Sequence, residues 1–309
     1  MTEQEVLDPG VPIVDPHHHL WASASGVRYL LDEFVADLDS GHDIRATVYV
    51  EAAPTMYRRG GPDSLRALGE VEFANGIAAM SASGSFGPVR VAAAIVAHAD
   101  LELEEAALRD VLDAYVAVAG ERFRGIRQAT FTSAVPALLR DPRFRRGFGL
   151  LVDRGLTFDA IVRPEEIPDV SDLAGAFPEA AIVLDHIGMP DGADVDLWRR
   201  SVRDLARHRN VSVKIGGLGM LRLGVPEGAH PGSAELAEIW GPYVEVALDE
   251  FGPSRCMFES NFPMDAATCD YRTLWNTFAR LATGYSHDEK ADVFGGTASR
   301  FYGLPIPRR

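Results

Sequence analysis

The segment Asp15-Pro16-His17-His18-His19 sets two imidazoles two residues apart behind a carboxylate. On an extended chain, side chains two apart project to the same face and the intervening one to the other. His17 and His19 therefore converge, and His18 points away. Two imidazoles aimed at one spot can hold a divalent metal such as zinc or polarise a carbonyl. Other ionisable residues stand at the ends of short apolar runs in the same way. Glu51 ends Thr47-Val48-Tyr49-Val50, His98 follows Val89–Ala97, and Arg127 lies near the end of Phe123–Gln128. Asp185 and His186 follow Ala181–Leu184, Lys214 lies within Val211–Ile215, and Glu259 and Asn261 finish the last run. His186, Glu51 and Glu259 are candidates for moving a proton. Arg127, Lys214 and His98 are candidates for binding substrate. Glu51 equally suits an ion pair with Arg127, and Lys214 equally suits neutralising a buried carboxylate.

Residues so scattered act together only if a fold gathers the ends of their strands. Strand-type runs at Pro12–Asp15, Ala46–Glu51, Val89–Ala97, Phe123–Gln128, Leu156–Val162, Ala181–Leu184, Val211–Ile215 and Cys256–Glu259 alternate with stretches of helical period. Those stretches are Ser64–Met80, Leu103–Ala119, Asp141–Asp153, Ile167–Phe177, Val195–Arg209, Ala234–Phe251, Tyr271–Ala282 and His287–Phe301. The rhythm predicts an α/β protein, a single-domain (β/α)8 barrel over residues 1–309, whose chemistry lies at the C-terminal strand ends. A doubly wound sheet would carry a Gly-rich turn after its first strand. Histidines stand there instead. Gly216-Gly217-Leu218-Gly219 fits a tight turn better than a dinucleotide fingerprint, and Gly224–Ser233 has the composition of a mobile loop over a pocket mouth.

With 47% hydrophobic and 24% charged residues, the 309-residue chain has the composition of a folded domain. Its 30 basic and 45 acidic side chains give −15, which repels phosphate backbones and anionic lipid, so nucleic acid and membrane are excluded as partners. A small-molecule substrate is expected, and a second copy of the chain is the other partner this surface admits. Two cysteines are too few for a disulfide framework. The polar start, Met1 to Gly10, lacks the features of a signal peptide, and a cytoplasmic location follows as the expectation.

Ile13-Val14-Asp15-Pro16-His17-His18-His19-Leu20-Trp21, Leu184-Asp185-His186-Ile187-Gly188 and Phe258-Glu259-Ser260-Asn261-Phe262-Pro263 together resemble the amidohydrolase superfamily. More narrowly they resemble the amidohydrolase-related (family 2) branch that includes sugar-lactone and pyrone-dicarboxylate lactonases. The resemblance spans nearly the whole chain. It implies a His-x-His pair, matched by His17 and His19, and a sixth-strand histidine, matched by His186, around one or two metals. A fifth-strand histidine is absent from Leu156–Pro164, and Asn261 stands where an aspartate is expected. One divalent metal such as zinc, weakly held or absent, is the resulting expectation, and Asn261→Asp should strengthen it.

The resemblance further implies a hydrolase that opens a small polar cyclic ester with water. His17, His19 and His186 would form the electrophilic side. Glu51 or Glu259 would receive the proton, with Asn261 beside them in the catalytic set. A metal-dependent decarboxylase of the same broad family and a catalytically silent metabolite-binding barrel are the alternatives, the second favoured by Asn261.

Overall fold

In the computed structural model, the structure describes residues 5–305 apart from 23–27, 53 and 191–193. The first residues of the polar start, Met1 to Gln4, lie outside the described residues. Eight strands follow one another in a single parallel sheet. They are β1 (Ile13–His18), β2 (Ile44–Val50), β3 (Arg90–His98), β4 (Phe123–Arg127), β5 (Thr157–Ala160), β6 (Ile182–Leu184), β7 (Val211–Ile215) and β8 (Cys256–Phe258). Around them run α1 (Leu31–Leu38), α2 (Leu68–Ala82), α3 (Glu105–Ala119), α4 (Pro142–Asp153), α5 (Ile167–Ala176), α6 (Val195–Leu205), α7 (Ser233–Phe251) and α8 (Tyr271–Leu281). Two short C-terminal helices, α9 (His287–Ala291) and α10 (Thr297–Phe301), complete the chain.

The helices start where local chemistry permits. Asp141 caps α4 by accepting from the Arg143 amide at 2.7 Å, with Pro142 at the first helical position. Asp194 caps α6 and Asp270 caps α8 in the same manner. α1 falls outside the stretches of helical period named above, although Leu31, Phe34 and Leu38 repeat at helical spacing and are all buried. A two-stranded ribbon of Trp21–Ala22 with Arg28–Tyr29 precedes it. The expected mobile loop, Gly224–Ser233, is instead tied down: Arg222 donates to the carbonyls of Ala267 and Ala229 at 2.7 and 3.2 Å.

The barrel closes between β1 and the residues just after β8. The Asn261 amide donates to His17 O at 2.8 Å, and the His19 amide to Phe262 O at 2.8 Å. Asp15 staples the same seam from inside, accepting from the Ser260 amide at 2.9 Å and from the Tyr271 hydroxyl at 3.0 Å. Burial pushes its carboxyl up to about 6 against those hydrogen bonds. The lower interior is filled by small and β-branched side chains, Val14, Ala46, Val48, Ala93, Ala94, Val96 and Val183, around Tyr302 from the C-terminal segment. Among the described residues, no helix is long and apolar enough to cross a membrane.

Removing the seam staple leaves a buried amide and a buried phenol without partners. Asp15→Ala is expected to cost about 2–4 kcal/mol of stability by denaturant titration. A loss below about 0.5 kcal/mol, the scale of a neutral surface change, would contradict the role given to Asp15.

Candidate active site

His17 and His186, distant in sequence, have ring centroids 4.8 Å apart at the C-terminal end of the barrel. Between them lies Glu259, with none of its surface exposed. His186 Nδ1 donates to Glu259 Oε1 at 2.6 Å, and His17 Nδ1 lies 2.8 Å from Oε2. His186 is reached by an unusual backbone: its φ and ψ are 54° and 39°, and Ile187 follows at 47° and 26°, both left-handed. Such conformations cost about 1–2 kcal/mol per non-glycine residue. They are held by the Met189 amide donating to His186 O at 2.8 Å and by Trp198 Nε1 donating to Ile187 O at 2.7 Å.

Gly216 and Gly217 make this packing possible. A Cβ on Gly217, at φ 69°, would lie 2.5 Å from His186 Cγ and Nδ1, and one on Gly216 would lie 2.3 Å from Glu259 Cγ. The glycine cluster therefore does more than tighten the chain. It gives the dyad its space.

A second layer lies beneath. Lys214 Nζ sits 2.6 Å from Asp159 Oδ2, 3.0 Å from Asp185 Oδ1 and 3.1 Å from His17 Nδ1, fully buried. Tyr302 donates to Asp159 Oδ2 at 2.7 Å, so the C-terminal plug reaches this layer. Arg127 Nε donates to Glu51 Oε1 at 2.7 Å, a second guanidinium nitrogen donates to Glu51 O, and Nη1 lies 3.2 Å from His17 Nε2. His19 Nδ1 must carry its proton, because it donates to the Val50 carbonyl at 2.8 Å. Its Nε2 then presents a lone pair 3.2 Å from His17 Nε2.

Charge follows from these neighbours. Burial, then Lys214, His186, His19 and Arg127, hold His17 well below the ordinary imidazole range. Burial and Arg127 push His19 down to about 3. Burial also pulls on His186, but the Glu259 carboxylate outweighs it, and His186 stands above its usual value. Of these three imidazoles, His186 alone is shifted toward holding a proton.

The cavity above them has a volume of about 370 Å³ and is lined by His19, Arg127, His186 and Asn261 together with Trp21, Ala52, Thr55, Ala129, Phe131, Ile161, Met220 and Met264. Of the residues read as substrate-binding, Arg127 lines it. Lys214 is sealed behind His17 by its two carboxylates. His98 ends β3 with its ring against Tyr57, 6.4 Å between centroids, and lies outside the lining. Glu51 and Glu259 also lie outside it, the first clamping Arg127 and the second backing His186. His18 turns to the barrel wall, hydrogen-bonded to Thr47 at 2.9 Å and stacked on Phe34.

Asp265 was missed. It accepts from Asn261 Nδ2 at 2.9 Å and from the amides of Gly219 and Met220 at 3.1 and 3.0 Å, and burial raises it to about 7. The arrangement fixes the amide of Asn261, whose backbone is also left-handed at φ 52°, and leaves Oδ1 buried without a hydrogen-bond partner among the described residues. A carboxylate four residues after Asn261 was the available signal. Trp21, Phe131, Met220 and Met264 carried none that single sequence positions reveal.

His17, His186 and Glu259 form a buried group of a kind that could hold a divalent ion. A parallel barrel with a carboxylate-backed histidine and a guanidinium at its strand ends defines a barrel hydrolase site. The chain belongs to the amidohydrolase family, whose family 2 pattern matches residues 14–304. An uncharacterized protein of Sinorhizobium fredii is 31% identical over 94% of this chain and 98% of its own length. An L-fucono-1,5-lactonase of Burkholderia ambifaria is 28% identical over 95% of this chain and 96% of its own. A solved amidohydrolase of Burkholderia multivorans, with bound zinc, is similar at a TM-score of 0.75 and 27% identity, covering 95% of this chain and 99% of that one.

Gly217→Ala forces the His186 ring from its seat while every side chain of the cavity lining keeps its identity. The expected result is a folded protein whose turnover falls by about a hundredfold or more, the scale for losing an acid–base group. Turnover within a factor of three of the parent, measured beside an unchanged circular dichroism spectrum, would show that the close approach does not fix His186.

Proposed function

We propose that this enzyme opens a cyclic ester with water. The observation that carries the reading is the 2.6 Å contact between Glu259 and His186 in a ring that faces the cavity beside Arg127. With Nδ1 committed to Glu259, Nε2 is the atom left to the ligand. The substrate carbonyl lies toward Arg127, whose guanidinium polarises it. Nε2 of neutral His186 takes a proton from water as the oxygen attacks the carbonyl carbon, and Glu259 stabilises the imidazolium that forms. The resulting oxyanion is paired with Arg127. Its collapse breaks the ring C–O bond, and the departing alkoxide recovers the proton from Nε2 to give a hydroxy acid. Glu51 holds Arg127 and Lys214 keeps His17 neutral, so neither moves a proton in this scheme. An ester suits the site because an alkoxide leaves with less assistance than an amine. The lactonase named among the relatives supports this reaction class.

His17 and His19 fit a cation, since their Nε2 atoms are 3.2 Å apart, near the roughly 3.3 Å edge of a tetrahedron with metal–nitrogen bonds of about 2.0 Å. A divalent metal bound by them, with Asn261 Oδ1 as the oxygen donor, would polarise the carbonyl as a Lewis acid. Its hold would be weak, because these donors are neutral and Arg127 stands 3.2 Å from His17 Nε2.

His186→Asn is expected to lower kcat by at least about a hundredfold on any lactone the protein opens, with the fold intact. His18→Gln should change turnover little. Near-normal rates for the first variant would remove His186 from the chemistry.

Protein dialysed without added metal should retain clearly less than one equivalent of zinc by elemental analysis. Asp265 alters what Asn261→Asp would do: a carboxylate there would face a second one, and the pair would share a proton rather than bind metal. Retention should rise in Asn261→Asp/Asp265→Asn and not in Asn261→Asp alone. Full retention by the unmodified protein would contradict the weak donor set.

A further inference from the structure

The cavity has two unlike halves. Its floor is polar, and one polar atom on each of its four polar side chains is already committed within the protein, which leaves His186 Nε2, His19 Nε2, Asn261 Oδ1 and the outer face of the Arg127 guanidinium to a ligand. Arg127 serves Glu51, His19 Nδ1 serves Val50, His186 Nδ1 serves Glu259, and Asn261 Nδ2 serves Asp265. What remains for a ligand is a cluster at one end, enough for a carbonyl and its attacking water. The walls and mouth are mainly Phe131, Ile161, Met220 and Met264 with two alanines, and apart from the Thr55 hydroxyl and the Trp21 indole N–H they offer little to a hydroxyl group. Phe131 is 40% exposed and Met264 39%, two of the few large apolar side chains left open to solvent among the described residues. Exposed apolar surface gathered at a pocket rim marks a binding surface. Thioethers and aromatic rings together favour a flat apolar group, through sulfur–aromatic and ring–ring contact.

We infer that the substrate class is a lactone carrying an aryl or comparable apolar substituent, bound with its ester on the polar floor and the substituent against Phe131, Met220 and Met264. The inference rests on the cyclic-ester reading and narrows it. A polyhydroxylated ring fits less well, because each hydroxyl turned to these walls gives up its water without a replacement partner.

The test compares a phenyl-substituted δ-lactone with an aldono-δ-lactone. The phenyl compound is expected to have a kcat/KM at least about tenfold higher. Equal rates, or preference for the aldono-lactone, overturn the inference while leaving lactone hydrolysis standing. Phe131→Ser should lower kcat/KM for the phenyl substrate by about tenfold more than for the aldono-lactone. Equal losses on both overturn the role of the rim.

If neither lactone is opened, the hydrolytic reading fails and binding decides the pocket. Trp198, Trp240 and Trp275 are fully buried and Trp21 lines the cavity, so a change in tryptophan emission on titration reports on Trp21. Titration with the two ring-opened hydroxy acids should show the phenyl-bearing one binding at least about tenfold tighter, with the signal lost in Trp21→Phe. Equal or tighter binding of the aldonic acid overturns the assignment.

Discussion

Glu259 has no exposed surface, and burying a carboxylate is costly unless it is paired and hydrogen-bonded. His186 donates to one of its oxygens and His17 Nδ1 lies 2.8 Å from the other, and the rest of the interior is arranged around that contact. Asp159 and Asp185 share Lys214: burial raises Asp159 to about 6 despite Lys214, whereas at Asp185 burial is outweighed by Lys214, His186 and Arg127, which hold it low. Lys214 and Arg127 in turn flank His17 and keep it neutral. Of the two imidazoles that line the cavity, His186 is then raised above its usual range and His19 is held below it.

This alternation of charge explains why the barrel is plugged from below. Water reaching the layer of Asp159 and Lys214 would screen the interactions that set the histidines above them. Small residues on β2 and β3 admit Tyr302, whose hydroxyl ends the polar stack at Asp159. The seam at Asp15 fixes β1 against β8, and with it the relation of His17 to Glu259. Stability and chemistry here depend on the same side chains.

Much of this was legible in the sequence. The alternation of runs gives the barrel and the site end, and the period of two separates His17 and His19 from His18. The demand of a buried Lys214 for carboxylates is equally plain, although their identity is not. Asp159 becomes a partner only through register, Asp159 lying beside Val183 and Val183 beside Ser212 on successive strands. Glu259 reads as a proton acceptor from its position, but its place behind His186 depends on the left-handed turn at His186 and on the space left by Gly216 and Gly217. Asp265 sits in an irregular turn where no periodicity points inward. The loop at Gly224–Ser233 has a mobile composition and is nevertheless pinned, because one arginine, Arg222, gathers its carbonyls.

The central claim is that Glu259 makes His186 the base. The most direct measurement is the pH profile of kcat/KM for a hydrolysed lactone, in the parent and in folded Glu259→Gln. A base must be deprotonated to act, so the rate rises with pH through its pKa. In the parent that acid limb should lie above about 6.5, the ordinary histidine value. Removing the carboxylate charge should move the limb to lower pH and reduce the plateau. An acid limb at the same pH in both proteins would contradict the account.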